Sequence, residues 1–194
     1  MFSGGDQTFL ALDAVNVYFM IDSRDGVQIA KVNKAGGDPV ILASKMAYPR
    51  GLASNGSDLY WASYADGALR KTSVDGGAVS VFGNSSGSTA MDVVMDETSV
   101  YCACDFELLK FMRTGGQPVK LAAAKLGFMK LETDLSKLYA ISHDYTRLYR
   151  ISKSGGELAI FATFPQFSVG NFAVDATNVY WTNSRAGTVM SLRK

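Results

Sequence analysis

The chain contains one histidine, His143, and two cysteines. That scarcity excludes a metal site built from several histidines and makes any histidine-based triad depend on one residue. An excess of charge of one sign is also missing: 19 Lys and Arg stand against 18 Asp and Glu, a net charge of +1. No broad positive field is therefore available to draw in nucleic acid or an anionic membrane. No apolar run approaches the roughly 18 residues of a transmembrane helix, and Met1 to Thr8 has neither the basic nor the apolar region of a secretory signal. A leader can be removed, so the compartment stays open. What is present, 47% hydrophobic and 19% charged residues over 194 positions, suits one globular domain rather than a disordered tail. Cys102 and Cys104 sit two apart in an apparent strand, where the local geometry disfavours an unstrained bridge. Free thiols are expected there.

One phrase recurs along the whole length: Asp or Asn, three residues, an aliphatic residue, then Tyr. Its copies are Asp13 with Val17-Tyr18, Asn55 with Leu59-Tyr60, Asp96 with Val100-Tyr101, Asp134 with Leu138-Tyr139, and Asp175 with Val179-Tyr180. The tyrosines lie 42, 41, 38 and 41 residues apart. Eight residues before each stands another apolar column, Leu10, Leu52, Val93, Leu131 and Phe172, which places a strand ahead of each turn residue. Four copies continue into a glycine pair, Gly36-Gly37, Gly76-Gly77, Gly115-Gly116 and Gly155-Gly156, between two β-type runs. Tight turns with positive φ favour glycine there, and the spacing predicts hairpins.

Each copy thus reads as strand, Asx turn, Tyr-bearing strand, loop, strand, Gly-Gly turn, strand: a four-stranded antiparallel meander. A period of about 40 residues with four strands marks a β-propeller blade buried on both faces. The fold expected is all-β, a propeller of about five blades with repeats at 8–44, 50–83, 90–124, 128–163 and 170–194. In the first Tyr-bearing strand Val17, Phe19 and Ile21 point one way and Tyr18 and Met20 the other, as two-sided burial requires. A parallel β-helix would use shorter coils and has no need of a glycine pair at one place in every copy.

Tyr180-Trp181-Thr182-Asn183 and Tyr60-Trp61-Ala62-Ser63 resemble degenerate YWTD repeats of low-density-lipoprotein-receptor propellers, and more closely their bacterial extracytoplasmic relatives. The copies at Tyr18-Phe19-Met20-Ile21, Tyr101-Cys102-Ala103-Cys104 and Tyr139-Ala140-Ile141-Ser142 keep Tyr and lose Trp, and no copy has the final Asp. The resemblance implies a propeller, structural motif residues, and a recognition role outside the cytoplasm.

The last copy reaches its third strand, Thr188 to Leu192, and has no fourth. Ser3-Gly4-Gly5-Asp6 resembles Ser154-Gly155-Gly156-Glu157, but Gly5 stands 13 residues before Tyr18 where Gly37 stands 23 before Tyr60. The N-terminus has no room for both a full outer strand and the first inner one. A larger propeller, a three-stranded last blade and an edge covered by another chain all satisfy this, and the first is favoured. An open third strand also offers unpaired backbone for homo-oligomer formation.

Reactive candidates reduce to structural ones. His143 and Asp144 lack a Gly-x-Ser-x-Gly nucleophile, so the histidine reads as an exposed loop residue. The Asp column occupies turns, where its side chains bond local backbone, rather than a metal-binding channel. Cys102 replaces Trp61 and Trp181 and reads as a small buried residue. Lys31, Lys71, Lys110 and Arg150 each precede a glycine pair by five residues and lack aromatic partners at that spacing, which favours local ion pairs. The triplets at Asn55 and Asn84 match the glycosylation pattern without further support.

The loops between second and third strands, together with the blade connections, fall on one end of a propeller. They carry Asp22, Arg24, Tyr64, Asp66, Phe106, Glu107, His143, Tyr145 and Arg185, with Tyr48 and Phe167 from the connections. Exposed aromatic and Arg residues anchor interfaces. The expected binding face is Tyr48, Tyr64, Asp66, Phe106, His143, Tyr145 and Arg185, with no cofactor or metal. The expected function is a non-enzymatic scaffold recognising a protein or glycan. Two alternatives stand beside it: a metal-dependent propeller hydrolase or lyase with an Asp/Glu-lined channel, and an assembly module joined through the open blade edge.

Overall fold

The computed structural model describes residues 9–85, 89–166 and 168–194. Among them nineteen strands form five antiparallel sheets. Blade 1 is β1 (Leu10–Leu12), β2 (Asn16–Ser23), β3 (Gly26–Asn33) and β4 (Val40–Met46). Blade 2 is β5 (Pro49–Ser54), β6 (Asp58–Ser63), β7 (Ala68–Ser73) and β8 (Ser80–Asn84). Blade 3 is β9 (Ala90–Met95), β10 (Ser99–Cys104), β11 (Glu107–Met112) and β12 (Val119–Ala123). Blade 4 is β13 (Phe128–Thr133), β14 (Lys137–Ser142), β15 (Arg147–Ser152) and β16 (Ala159–Thr163). Blade 5 has three strands, β17 (Val169–Val174), β18 (Asn178–Asn183) and β19 (Thr188–Arg193). Successive inner strands pack side by side, β1 on β5, β5 on β9, β9 on β13 and β13 on β17, which makes the five-bladed propeller. No helix among the described residues is long and apolar enough to cross a membrane.

The recurrent phrase has a complete hydrogen-bonding explanation. One carboxylate oxygen of Asp96 accepts the N–H groups of Thr98 and Ser99, both at 2.9 Å, and the other accepts the Tyr101 hydroxyl at 2.8 Å. Asp134 and Asp175 repeat this with Tyr139 at 3.1 Å and Tyr180 at 2.8 Å, and Asp13 binds Tyr18. Asn55 caps its turn through the N–H groups of Ser57 and Asp58 but has no second carboxylate oxygen. Tyr60 turns to Asp58 instead, at 3.4 Å. A buried phenol needs a partner at its polar end, and an Asx-turn carboxylate supplies one five residues upstream.

Strand alternation then divides each blade between two junctions. The Tyr column faces the following blade, while the residues on either side of it and the column eight residues upstream face the preceding one. Leu52, Leu59 and Trp61 of blade 2 pack against Tyr18 and Ile29 of blade 1. Val93, Val100, Cys102 and Cys104 of blade 3 pack against Tyr60 and Leu69 of blade 2. Leu131, Leu138 and Ala140 meet Tyr101 and Leu108, and Phe172 and Val179 meet Tyr139 and Leu148. These four apolar clusters fill the four junctions from blade 1 to blade 5. At the seam between blades 5 and 1 the same columns lie open: Leu10 is 61% exposed, Leu12 60% and Val189 of β19 72%.

Two expectations need correction. Cys102 and Cys104 are joined as a disulfide rather than left as free thiols. The pairing of β10 with β9 shifts register between Ala103 and Cys104, and the two Cα atoms stand 5.6 Å apart, within the range of a bridge. The glycine pairs, moreover, lie in the expected hairpins, but in longer connections than a tight primed turn. Gly36 donates to Asn33 at 2.9 Å, closing a turn, and the chain continues through Gly37 to Pro39 before β4 begins. Both glycines have positive φ, 100° and 116°, with open space where a Cβ would be, so the requirement is conformational rather than steric. The Ser3-Gly4-Gly5-Asp6 phrase, Ser86 and Phe167 lie outside the described residues.

Candidate functional site

The loops after β2, β6, β10, β14 and β18 gather with the blade connections on one end of the propeller because antiparallel pairing brings their backbones together. Tyr64 donates its N–H to the Tyr48 carbonyl at 3.1 Å, Ala124 to Phe106 at 2.9 Å, His143 to Leu126 at 3.3 Å, and Ser184 to Ser168 at 2.9 Å. The loops are therefore fastened to the scaffold. Tyr48 and Tyr145 are held at positive φ, 48° and 58°, a strained conformation for residues bearing a Cβ and one concentrated at functional sites.

Arg50, at the start of inner strand β5, connects several of the expected residues. Its guanidinium lies 5.6 Å from the centre of the Tyr64 ring, a cation–π contact. Tyr64 and Tyr48 are joined through backbone and both are exposed, Tyr48 by 68%. Tyr145 is half-buried and turned inward, and burial raises its phenol pKa, opposed by Arg50 and reinforced by Asp92. Tyr48 and Tyr64 thus lie together with Arg50 against Tyr64, while Tyr145 packs on the cluster between blades 4 and 5 and feels the Arg50 charge from there.

The other expected residues serve differently. Asp66 closes its turn by receiving Arg70 Nη1 at 2.9 Å, and the Arg70 hydrogen bond holds its carboxyl well below the usual range. Phe106 and His143 are exposed on the loops of blades 3 and 4, and Arg185 is exposed on that of blade 5. Asp144 does not orient His143: it accepts Ser142 Oγ at 2.7 Å and the Thr146 N–H and hydroxyl at 3.1 and 2.8 Å. No histidine–carboxylate pair forms among the described residues.

The inner strands hold a charged cluster that the expected face omitted. Asp92 of β9 is 4% exposed. Its Oδ1 accepts its neighbour's N–H, Val93, at 2.9 Å, and its Oδ2 accepts Leu131 N–H from blade 4 at 2.8 Å. Gly51 of blade 2 closes the third side, since a Cβ there would stand 2.2 Å from Asp92 Oδ1. Burial raises the Asp92 pKa to about 6 against the pull of Lys130 and the two N–H donors. Glu132 on β13 is raised to about 7, by burial first and then by Asp92, with Lys130 opposing. The signal was available: Arg50, Asp92, Lys130 and Glu132 are charged positions inside strands that otherwise read as core.

Among the described residues no group of three His, Cys, Asp or Glu is placed to hold a metal ion. The positive charge of Lys130 opposes the upward shift of both carboxylates. On the opposite end, two open hollows of about 450 Å³ lie among the Asx turns of blades 1 to 3, with Arg113 in the wall of both.

No family model matches the chain, and no curated protein matches it in sequence. Solved structures do match in shape. The chain superposes with a TM-score of 0.82 on a structure of the nidogen/laminin complex, over 96% of this chain and 75% of that one, at 18% identity. Its fold is that of the nidogen propeller. The propeller also superposes on virginiamycin B lyase from Staphylococcus aureus with a TM-score of 0.73 at 10% identity, covering 92% of this chain and 62% of that one. Glutaminyl cyclase from Myxococcus xanthus gives 0.60 at 14% identity, with coverages of 96% and 89%. Binding proteins and enzymes share the scaffold, so function has to be argued from the site.

Proposed function

We propose that the chain is a recognition propeller that binds another protein through the loop end, with Tyr48, Tyr64, Arg50 and Tyr145 as the anchor. The observation that carries this is the exposed Tyr48–Tyr64 pair with the Arg50 guanidinium against Tyr64, built on backbone tied to the blades. Tyr and Arg are the residue types that dominate interface energetics, and a rigid mounting lowers the entropy lost on binding. The Cys102–Cys104 bridge suits an oxidising, extracytoplasmic compartment. The nidogen structure, a complex with laminin, is a protein-bound example of the same fold.

Panning a displayed peptide library and a glycan array against the immobilised chain tests this. Peptide ligands should be recovered, and Tyr48→Ala with Tyr64→Ala should weaken them at least about tenfold, as for interface anchors, with the melting temperature unchanged. Ligands indifferent to that pair, or binding confined to glycans, would overturn the proposal.

A second reading rests on Asp92 and Glu132, whose raised pKa values suit proton transfer near neutral pH. The bonds from Val93 and Leu131 give Asp92 a structural duty sufficient to explain it, so recognition is favoured.

A further inference from the structure

At two blade junctions a lysine that follows the third strand of one blade closes on the Asx turn of the blade before it. Lys153, just after β15, reaches Asp96 Oδ2 at 3.0 Å and lies 5.6 Å from the centre of the Tyr101 ring. Lys194, just after β19, reaches Asp134 Oδ2 at 2.6 Å and lies 5.3 Å from the centre of the Tyr139 ring. In both, the oxygen that takes the lysine also takes the tyrosine hydroxyl, so cation, carboxylate and phenol form one closed set. At the junction of blades 1 and 2 the carboxylate of Asp13 is present, and Val74 stands where the cation would.

The junction of blades 2 and 3 has the cation and lacks the carboxylate. Arg113, just after β11, holds the place of Lys153: its backbone N–H donates to the Thr98 carbonyl at 2.9 Å, as that of Lys153 donates to Ser136 at 3.0 Å. The turn before it is built on Asn55, which carries an amide where Asp96 and Asp134 carry their second oxygen. Asn55 Oδ1 accepts the N–H groups of Ser57 and Asp58 at 2.8 and 2.6 Å. Its Nδ2 is buried without a hydrogen-bond partner, and so is Arg113 Nε. Buried side-chain donors are paired almost everywhere in folded proteins, and two orphans at one turn call for an acceptor. Tyr60 has only a long bond, 3.4 Å to Asp58 Oδ2, and burial and Asp58 raise its phenol pKa against Lys71 and Arg113, which keeps it a donor.

Open space adjoins these groups. Asn55 lines one of the two hollows of about 450 Å³, Tyr60 lines the other, and Arg113 walls both. The neighbouring acids are engaged or exposed. Asp58 pairs with Lys71 at 3.4 Å, Asp96 with Lys153, Asp13 binds its own turn and the Tyr18 hydroxyl, and Glu97 is exposed. Arg113 forms no ion pair among the described residues, and its side chain is fastened there by Nη1 donating to the Glu97 carbonyl at 2.7 Å.

We propose that this junction is a binding site for a carboxylate, whose oxygens take the place that an Asp Oδ2 fills at the next two junctions and accept from Arg113, Asn55 Nδ2 and the Tyr60 hydroxyl. A guanidinium pairs with a carboxylate through two parallel bonds, an ammonium ligand would be repelled by Arg113, and a neutral amide would leave the guanidinium charge uncompensated. The Arg113 side chain turns its Nε edge into the hollow as the ligand enters. A free acid and the acidic side chain of a peptide present the same group. The site lies on the end opposite the Tyr48–Tyr64 pair and does not depend on the loop-end reading.

The test titrates the chain with sodium succinate and with the peptide acetyl-Ala-Asp-Ala-amide at constant ionic strength, followed by proton–nitrogen NMR. Succinamide and acetyl-Ala-Asn-Ala-amide serve as neutral counterparts. The Arg113 Nε–H and Asn55 side-chain amide signals should shift saturably with an acid, with a Kd of about 1 mM or tighter, and stay in place with the neutral probes. Tighter binding of succinate assigns the site to a free acid, and tighter binding of the peptide assigns it to an acidic segment. Arg113→Met should weaken binding at least about tenfold, as loss of a charge-assisted pair does. Asn55→Asp supplies the carboxylate from within: it should abolish binding and raise the melting temperature by about 2–4 °C. Should Arg113→Met fail to fold, Asn55→Asp decides. Absence of a saturable shift with either acid overturns the proposal, as do equal shifts with the neutral probes or binding that Asn55→Asp leaves intact.

Discussion

The junction of blades 3 and 4 and the seam between blades 5 and 1 are written in the same residue columns but stand in opposite environments. Leu131 and Leu10 hold equivalent places eight residues before a Tyr; one is 1% exposed and the other 61%. Tyr101 lies in the core with Lys153 across its ring, whereas Tyr180 has its Asp175 bond and, among the described residues, no cation over its ring. The repeat therefore encodes two half-interfaces per blade, and stability appears only where two halves meet. This is the nearest-neighbour behaviour of repeat architectures, in which a unit's own sequence is not enough to bury its faces.

The widest gap between the two regions should come from their apolar columns. Leu131→Ala removes a buried side chain from the cluster with Tyr101 and Leu108, and about 2–4 kcal/mol should be lost in chemical denaturation. Leu10→Ala should change stability by less than about 0.5 kcal/mol, as exposed positions do. Equal losses would mean that the seam is packed in solution and would erase the distinction.

The ion pair of Lys153, just after β15, with Asp96 of blade 3 gives a smaller contrast. Lys153→Met keeps much of the aliphatic stem over Tyr101 and deletes the ion pair to Asp96, whose carboxyl is held well below the usual range. There burial opposes the shift and is outweighed by Lys153, the Tyr101 hydroxyl and the turn N–H groups. The pair is only partly buried, so a loss of about 1 kcal/mol is expected at pH 7. That loss should vanish below the Asp96 pKa, where the wild-type carboxyl is itself protonated. Lys34→Met, at the equivalent place after β3, where the side chain is exposed and has no ion pair among the described residues, should be silent. Thermal melts of both variants across pH separate the two outcomes.

What the sequence made legible follows from the same logic. The Asp-to-Tyr spacing, the apolar columns and the glycine pairs are set within one blade, so strand order and blade number could be read from a single chain. The Tyr hydroxyl bond to Asp could have been inferred from the spacing, since both groups are fixed five residues apart. Residues whose partners come from another blade were harder to read. Asp92, for example, finds Leu131 39 positions away in the next blade. Of the expected binding face, Tyr48 and Tyr64 meet through backbone with Arg50 against Tyr64, while Asp66 is occupied by Arg70. The Cys102–Cys104 bridge depends on a register shift that no residue pattern announces.

The smallest effect concerns the inner strands, comparing the junction of blades 3 and 4 with the seam side of blade 5. Asp92 and Glu132 have folded-state pKa values of about 6 and about 7, above those of unfolded carboxyls. The folded state therefore binds more protons than the unfolded one between roughly pH 4 and 7, and stability must fall as pH rises through that window. Asp13 and Asp175, with pKa values lowered to about 2, act in the opposite sense at lower pH. For Asp13 burial resists the lowering and hydrogen bonds from Tyr18, Asn16 and Val15 prevail, whereas for Asp175 the N–H groups of Asn178 and Thr177 lead. Their contribution is present above the unfolded pKa and is lost as pH falls below it. Maximal stability should accordingly lie near pH 4–5. Glu132→Gln should raise stability at pH 7 by about 1 kcal/mol, discounted for its coupling to Asp92, and flatten the slope between pH 5 and 7. At the equivalent position on β17 stands Ala173, with no carboxylate to titrate, so Ala173→Gln should leave the slope intact. A slope in wild type that rises toward pH 7, or one that Glu132→Gln leaves unaltered, would show that the axial carboxylates are solvated in the folded protein.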